Sequence, residues 1–272
     1  MYFLTDLYFR LKLDWTVVLL PIYPDLKGRS VFITGGGSGI GATLTRAFLQ
    51  QGAKVTFVQR SDATTFCDAM AEETGNRPLF VPCDITKEAD LTRAVQTAAE
   101  AHGPVQVLVN NAANDQRHET LTTSIADWER LMGVNLKAYF TAAQAVIPAM
   151  QEAGGGTIIN FTSISYMMGN AGYPLYVTAN AGINGMTRAL AREFGPDKIR
   201  VNALAPGWVM TQKQLDMWVT PETLQGQLDR QCLKETLAPE DISGGVLFLA
   251  SDSSRMMTGQ AMVIDGGVVV TG

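Results

Sequence analysis

The chain has 272 residues, 46% of them hydrophobic and 17% charged, which suits a single α/β domain with a sizeable core. A formal net charge of −5, without any cluster of lysine and arginine, argues against nucleic-acid binding. The cysteines Cys67, Cys83 and Cys232 are widely spaced and match neither a disulfide framework nor a metal-ligand pattern, and only two histidines are present. We therefore expect no metal site and a reducing, cytoplasmic environment.

The first 27 residues precede the predicted domain. Within them, residues 15–22 are apolar, but Pro21 interrupts the stretch, which is far shorter than the ~20 residues of a membrane-spanning helix. Two basic residues come before it, which makes a signal peptide conceivable, yet no small-residue cleavage site follows. We interpret residues 1–27 as an N-terminal extension and residues 28–272 as the domain, and we expect no membrane partner. An over-extended translation start would give the same pattern.

Apolar, β-branched runs alternate with helical patterns through the rest of the chain. The predicted strands are 30–34, 54–58, 79–82, 105–110, 156–161, 200–205 and 261–264. The predicted helices are 39–50, 64–74, 87–102, 125–152, 174–195 and 239–251. This alternation predicts an α/β fold with a doubly wound, Rossmann-type parallel sheet in three layers, whose ligands bind beyond the carboxyl ends of the strands.

One long region between the last two strands shows no regular pattern. It runs from residue 207 to about residue 234, and its length suggests a functional lid rather than a linker. The apolar residues along this lid are Trp208, Met210, Leu215, Met217 and Trp218. They give it a face that can close over a ligand.

A glycine-rich segment follows the first strand and opens the first helix. Its key glycines are Gly35, Gly39 and Gly41, with Ser38 and Ile40 between them. Glycines let the backbone approach a pyrophosphate, and a helix N-terminus offers free N–H groups and a positive dipole end. The spacing differs from the common dinucleotide fingerprint, and a glycine run alone can be a simple loop. Its position between strand and helix indicates a dinucleotide site.

Three further segments lie where predicted strands end. They are Cys83-Asp84-Ile85, Asn110-Asn111-Ala112-Ala113 and Asn160-Phe161-Thr162-Ser163, and a fourth segment, Tyr176-Val177-Thr178-Ala179-Asn180, lies in the predicted helix 174–195. With the glycine segment, they resemble the short-chain dehydrogenase/reductase family over about residues 27–270. The resemblance implies a doubly wound fold, an NAD or NADP site and oxidoreductase activity.

The resemblance also implies roles for individual residues. Asp84 would contact adenine, Asn111 would hold the central strand against the nucleotide, and Val209 and Thr211 would bind the nicotinamide carboxamide. The complete set of cofactor-binding residues that we predict is Gly35, Ser38, Gly39, Ile40, Gly41, Gln59, Arg60, Asp84, Ile85, Asn111, Ala112, Pro206, Gly207, Val209 and Thr211.

The choice between NAD and NADP depends on the residue that ends the second strand. A carboxylate there hydrogen-bonds the ribose 2′-OH, whereas an arginine accommodates a 2′-phosphate. This chain has Gln59 and Arg60, so no acid repels a phosphate and a guanidinium can pair with one. We favour NADP; Gln59 would still let NAD bind, and Arg60 can equally be a solvated surface residue.

The chemistry assigned by the resemblance needs two hydroxyl groups beside the nicotinamide. Tyr176 would act as the proton acceptor, and Ser163 would hold the developing carbonyl oxygen. Asn135 lies in a predicted helix, where asparagine is unfavourable without a further role. The family uses an asparagine here to hold a water in a proton relay, but a locally bonded core residue is the alternative.

The chain departs from the family at Asn180, where a lysine normally bonds the ribose and lowers the pKa of the tyrosine. An unperturbed tyrosine has a pKa of about 10 and is only ~0.1% ionised at pH 7. A neighbouring cation worth about three pKa units would supply ~4 kcal/mol, so we expect oxidation to be weakened by ~10²–10⁴ at neutral pH. The asparagine can be an introduced substitution, a natural variant of low activity, or the mark of a chain that binds nucleotide without turnover.

Several segments are similar to the bacterial D-xylose (aldose) 1-dehydrogenases, a branch of the family. They include Asn114-Asp115-Gln116-Arg117-His118 after strand four and Gln231-Cys232-Leu233-Lys234 in the lid. The resemblance implies oxidation of an aldose C1 hydroxyl to a lactone. Asn114, Arg117 and His118 are candidates to bond sugar hydroxyls, and Trp208 to stack on a sugar face, although this loop can also be merely solvated.

Two other functions remain open at this point. One is a short-chain reductase of another carbonyl substrate, such as a 3-oxoacyl group, but no basic patch for an acyl carrier is evident. The other is a non-catalytic nucleotide-binding scaffold. In either case the predicted helices 125–152 and 174–195 are apolar around much of their surface, and the family associates through them. We expect a homo-oligomer, either a dimer or a tetramer.

Overall fold

A computed structural model of the chain describes residues 20–270. Most of the predicted N-terminal extension, including residues 15–19 of its apolar stretch, therefore lies outside the described residues. The part of the extension that is described packs on the domain: Leu26 is fully buried in the core, and the Tyr23 N–H donates to Gln51 Oε1 at 2.8 Å.

The predicted doubly wound fold is confirmed. Seven parallel strands form one sheet in the order β3-β2-β1-β4-β5-β6-β7. The strands are β1 (Ser30–Thr34), β2 (Lys54–Gln59), β3 (Leu79–Pro82), β4 (Val107–Asn110), β5 (Gly156–Phe161), β6 (Ile199–Pro206) and β7 (Ala261–Ile264). The order reverses between β1 and β4, and this switch point opens a crevice at their carboxyl ends.

Helices cover both faces of the sheet. They are α1 (Gly39–Gln50), α2 (Thr64–Thr74), α3 (Glu88–His102), α4 (Ile125–Met132), α5 (Ala138–Glu152), α6 (Ser165–Met168), α7 (Pro174–Phe194), α8 (Gln212–Met217), α9 (Pro221–Arg230) and α10 (Pro239–Ala250). Strand β1 shows how the layers form, because alternate residues face opposite sides. Val31 and Ile33 pack with α1, α2 and α10, whereas Phe32 packs with α3, α5 and α7. No helix within residues 20–270 is long and apolar enough to cross a membrane.

Two predictions of secondary structure were wrong. The helix predicted at 125–152 is interrupted by a π-helical turn at Gly133–Lys137. The lid is not irregular, because it carries α8 and α9, each with a threonine at its N-terminus. Thr211 Oγ1 accepts a hydrogen bond from the Gln214 N–H, and Thr220 does the same for Thr223. Such caps satisfy backbone N–H groups that the start of a helix leaves unpaired. In addition, the sequence analysis did not predict the short helix α6.

Candidate active site

The turn between β1 and α1 brings backbone against backbone. Gly35 has φ +71° and its N–H donates to the Val58 carbonyl at 2.7 Å, so the chain turns sharply at the end of β1. Any Cβ at Gly41 would lie 1.9 Å from the Gly35 carbonyl oxygen, a contact that only glycine avoids. The first turn of α1 is thereby held close to the strand end, where its free N–H groups can meet a phosphate.

The adjoining strand β4 is fixed to β1 by three hydrogen bonds. Thr34 Oγ1 accepts from the N–H groups of Asn111 and Ala112 at 3.0 and 3.1 Å, and Asn111 Nδ2 donates to the Thr34 carbonyl at 3.0 Å. Asn111 was expected to hold the central strand against the nucleotide; that role stays a prediction, and the structure shows its side chain bonded to the end of β1. These hydrogen bonds hold the Thr34 and Asn111 side chains in fixed positions at the base of the crevice.

A cavity of about 730 Å³ runs from the glycine turn to the carboxyl ends of β5 and β6. The predicted site residues that line it are Gly35, Ser38, Ile40, Gly41, Asn111, Ala112, Arg117, Ser163, Tyr176, Pro206, Gly207, Trp208, Val209 and Thr211. A glycine cradle at one end and two hydroxyl groups at the other, in a single cavity, fit a nicotinamide dinucleotide and a small substrate.

A second cavity, of about 550 Å³, continues beyond the glycine turn. It is lined by Gly35, Ser38, Gln59, Arg60 and Ser61. Gln59 Oε1 accepts from the Gly37 N–H at 3.1 Å and its Nε2 donates to the Ser61 carbonyl at 3.1 Å, so this side chain already ties β2 to the glycine turn. Arg60 is exposed.

The predicted adenine contacts lie farther out. Asp84 and Ile85 are not among the residues lining either cavity. Thr86 Oγ1 donates to Asp84 Oδ1 at 2.7 Å. Hydrogen bonds from Thr86 are the main reason that the pKa of Asp84 is lowered, with Arg60 adding a smaller effect of the same sign.

Ser163 and Tyr176 meet at the inner end of the large cavity. The Ser165 N–H donates to Ser163 Oγ at 3.1 Å, which leaves the hydroxyl proton of Ser163 able to donate to Tyr176 or to a ligand oxygen. Burial, followed by the negative charge of Asp115, raises the pKa of Tyr176 to about 12, against a smaller lowering by its hydrogen bond with Ser163. At pH 7 only ~10⁻⁵ of the tyrosine is then ionised.

Asn180 does not line the cavity. Its side chain is 3% exposed, and its Nδ2 donates back to the Tyr176 carbonyl at 2.7 Å. Thr162 Oγ1 donates to the Asn180 carbonyl at 3.0 Å, which fixes this turn of α7 against β5. The residue at the family's lysine position therefore brings no charge to Tyr176. One of its amide hydrogens is bonded to the Tyr176 carbonyl, and a hydrogen bond from Asn180 lowers the pKa of Tyr176 by less than burial raises it.

Asn135 lies in the π-helical turn and is 2% exposed. The Asn114 N–H donates to Asn135 Oδ1 at 2.7 Å, and Asn135 Nδ2 donates to the Asn114 carbonyl at 2.9 Å. The side chain thus fixes the loop after β4. π-Helical turns occur frequently at functional sites, and this one places an asparagine where a regular helix would not.

Three side chains, those of Tyr173, Arg117 and Trp218, form a stack behind Tyr176. The Tyr173 and Tyr176 rings are stacked with centroids 5.4 Å apart, and the Arg117 guanidinium lies 3.6 Å from the Tyr173 centroid. The same guanidinium is 5.3 Å from the Trp218 ring of the lid. Cation–π contact holds the plane of Arg117 and leaves its N–H edge available to a ligand.

Asp115 connects the loop after β4 to the lid. Its carboxylate accepts from Lys213 Nζ at 2.6 Å and from Gln214 Nε2 at 2.9 Å. Gln214 Oε1 in turn accepts from Trp208 Nε1 at 2.8 Å, which fixes the indole in the cavity wall. Tyr173, Lys213 and Gln214 were missed in the sequence, where nothing but the proximity of Tyr173 to Tyr176 pointed to them.

The structure does not bring Asn114 and His118 into the cavity. Asn114 Oδ1 accepts from the Gln116 N–H at 3.0 Å, within its own loop. His118 Nε2 accepts from the Leu175 N–H at 3.3 Å, and the His118 N–H donates to the Gly172 carbonyl at 2.8 Å. Both residues fix the loop that carries Arg117.

Comparison with known proteins identifies the family of this chain. The family model described as enoyl-(acyl carrier protein) reductase matches residues 35–269. A probable galactose dehydrogenase of Rhizobium meliloti is 46% identical over 90% of this chain and 97% of its own length. The D-xylose 1-dehydrogenase of Caulobacter vibrioides is 46% identical over 90% of this chain and 98% of its own. A crystal structure of a blue fluorescent protein from a metagenomic library, in complex with NADPH, has a TM-score of 0.82 at 33% identity and covers 90% of this chain and all of the other.

A doubly wound sheet with a glycine cradle beside a serine–tyrosine pair defines an NAD(P)-dependent oxidoreductase. The chain belongs to the short-chain dehydrogenase/reductase family.

Proposed function

We propose that the protein oxidises the C1 hydroxyl of an aldose to a lactone with NAD(P). The observation that carries this proposal is the Ser163–Tyr176 pair at the inner end of the cavity that begins at the glycine turn. The names of the two 46% identical relatives, a galactose and a D-xylose dehydrogenase, support an aldose as substrate.

The bound dinucleotide supplies the hydride acceptor. Tyr176 takes the proton of the C1 hydroxyl while the C1 hydride leaves, and Ser163 donates a hydrogen bond to the same oxygen as it becomes a carbonyl. The Ser165 N–H occupies one of the two lone pairs of Ser163 and leaves its hydroxyl proton able to donate to the substrate oxygen. Asn135 positions the loop that carries Asp115 and Arg117.

Asn180 makes this oxidation slow at neutral pH. The family's lysine would favour the tyrosinate, whereas here burial and Asp115 raise the pKa of Tyr176 to about 12. Deprotonation is therefore the step that limits the rate, and we propose a loss of ~10²–10⁴ relative to a lysine-bearing chain.

We also propose that the nucleotide is preferentially NADP, bound with Arg60 beside its 2′-phosphate. The second cavity, with Arg60 and Ser61 in its wall and no carboxylate, supports this choice. Gln59, whose side chain is engaged with the glycine turn, would leave NAD able to bind more weakly.

The proposal is tested by a substrate screen at pH 7 and pH 10. Pentoses and hexoses are compared with acetoacetyl thioesters, each with NAD and NADP, for the natural chain and for Asn180→Lys. Oxidation of aldoses, stronger in the variant at pH 7, supports the proposal. Activity confined to thioesters would identify another carbonyl reductase, and tight nucleotide binding without turnover by either chain would identify a scaffold.

We propose further that the chain forms a homo-oligomer through α4, α5 and α7. Ile125 is 78% exposed and Phe140 50% exposed, although both are large and apolar. Light scattering at micromolar concentration should give a dimer or a tetramer, and a monomer alone would contradict this expectation.

A further inference from the structure

Two polar groups on residues that form the cavity wall have no hydrogen-bond partner among residues 20–270. They are Ser165 Oγ and Trp218 Nε1, and both are shielded from solvent. Ser165 as a whole is 2% exposed. The described chain contains six such side-chain atoms, and the other four belong to residues outside the lining of this cavity. Unpaired buried polar groups are rare in folded proteins and call for an explanation.

The proposed reaction does not use either group. Ser165 serves Ser163 through its backbone N–H, for which alanine would be equivalent. Trp218 faces the Arg117 guanidinium with its ring, for which phenylalanine would also offer an aromatic face. The hydroxyl and the indole N–H therefore remain to be accounted for.

The two groups come from different parts of the cavity wall. Ser165 opens α6, two residues after Ser163, on the fixed side formed by the end of β5. Trp218 follows α8 on the lid. Both residues line the same cavity, and both atoms are covered in this structure.

We propose that the Ser165 hydroxyl and the Trp218 indole N–H bind hydroxyl oxygens of the substrate and set the preference for a polyhydroxylated molecule. An indole N–H can only donate, so its partner must be an acceptor oxygen, whereas a serine hydroxyl can donate and accept. An aldopyranose presents such hydroxyl oxygens from C2 onward, on the side of C1 opposite to the ring oxygen. The contacts form through rotation of Ser165 about χ1 and adjustment of the lid around the substrate.

This inference rests on the proposed function and deepens it. A site whose buried polar groups hydrogen-bond a substrate hydroxyl discriminates strongly against an analogue that lacks this hydroxyl. With the analogue bound, the polar groups of the site are left unpaired. Simple alcohols and monodeoxy sugars should therefore be poor substrates, even where they fit the cavity.

The test removes each polar group. Ser165→Ala keeps nearly the shape of the side chain, and Trp218→Phe keeps an aromatic ring but is smaller. Ser165→Ala and Trp218→Phe are made in the natural chain and in the Asn180→Lys chain, which should give faster turnover. Trp208→Phe is the matched control, because the Trp208 indole N–H already has a partner in Gln214. The kcat/KM values are measured for an aldose and for its monodeoxy derivatives, together with the Tm of each variant.

We expect Ser165→Ala and Trp218→Phe each to lower kcat/KM for the parent aldose by ~10- to 100-fold. For each variant there should be one monodeoxy sugar whose kcat/KM is the same with the variant as with the parent chain. That sugar lacks the hydroxyl that the removed group would bind. For Ser165→Ala the Tm should stay constant or rise, since the substitution removes an unpaired buried group. For Trp218→Phe the loss of ring contacts should lower the Tm no more than in Trp208→Phe, which loses the same volume. Trp208→Phe should lower kcat/KM by the same factor for every sugar.

Three results would overturn the inference. Aldose kcat/KM values within about twofold of the parent chain in both variants would show that neither group binds substrate. A lower Tm with equal losses on all sugars would assign the groups to the fold. In both cases sugar oxidation itself would stand. No aldose oxidation by any chain would refute the proposed function, and this inference with it.

Discussion

The two ends of the cavity are constructed differently. The nucleotide end depends on backbone geometry, with Gly41 against the Gly35 carbonyl and Asn111 bonded to Thr34. The substrate end depends on side chains from separate segments, such as Asp115 from one loop and Gln214 from the lid. Where backbone groups pack together, the sequence shows particular residues at fixed spacings within one segment. Where side chains from distant segments meet, the sequence shows no such spacing. A single substitution at the nucleotide end should therefore cause a large loss of nucleotide binding, whereas single substitutions at the substrate end should cause smaller losses of activity.

The largest effect is expected at the nucleotide end from Gly41→Ala. A Cβ 1.9 Å from the Gly35 carbonyl oxygen forces the backbone to move, so the cradle and the first turn of α1 separate. Calorimetry should show dinucleotide affinity at least ~10³-fold lower. Gly244→Ala in α10 is the control, because a Cβ there meets nothing within 4 Å. Equal affinities for the two variants would contradict the account.

At the chemical end, the rate of aldose oxidation should depend steeply on pH. Oxidation needs the tyrosinate, and the pKa of Tyr176 is raised to about 12, so the ionised fraction increases tenfold per pH unit below that value. The rate should increase by ~10³ between pH 7 and pH 10, and reduction, which uses the protonated tyrosine, should stay nearly constant. A plateau of oxidation below pH 9 would refute this assignment.

A smaller effect is expected from Arg60→Gln at the outer edge of the nucleotide end. Loss of a charged donor beside the 2′-phosphate should weaken NADP binding by ~10-fold and leave NAD binding unchanged. Arg46→Gln is the matched control, because Arg46 pairs with Glu73 rather than facing the cavity. If both variants bind NADP like the natural chain, Arg60 is only a surface residue.

The smallest effects are expected at the ion pair that closes the substrate end. Lys213 is 54% exposed, so its pair with Asp115 contributes little, and Lys213→Gln should raise KM by about two- to fivefold. Asp115→Asn should give a similar KM and also shift the pH profile of oxidation to lower pH, because the negative charge of Asp115 helps to raise the pKa of Tyr176. Identical pH profiles for the two variants would exclude this electrostatic effect.

The strands were predicted within about two residues because short, buried parallel strands contain runs of apolar residues, such as Val31, Phe32 and Ile33 in β1. The glycine turn at the nucleotide end could also be predicted from the sequence, since contacts between residues a few positions apart require glycine there. The break in the helix predicted at 125–152 was not predictable, because the π-helical turn is paired with Asn114, which is distant in sequence.

The substrate end shows the limit of sequence reasoning more clearly. Arg117 and His118 are neighbours with similar prospects as sugar ligands, but only Arg117 lines the cavity. His118 is bonded to the start of α7. Likewise, the sequence shows that Asn180 lacks a charge, but only the structure shows its amide N–H engaged by the Tyr176 carbonyl. Directions of side chains on loops depend on partners that no local pattern reveals.

The most direct test of the central claim is the pH dependence of aldose oxidation by Asn180→Lys, with Asn180→Met as an uncharged control of similar length. If the missing cation limits proton transfer to Tyr176, Asn180→Lys should increase the rate at pH 7 by ~10²–10⁴ and flatten its increase toward pH 10, and Asn180→Met should do neither. A rate at pH 7 that is unchanged in the lysine variant, with nucleotide still bound, would contradict the account.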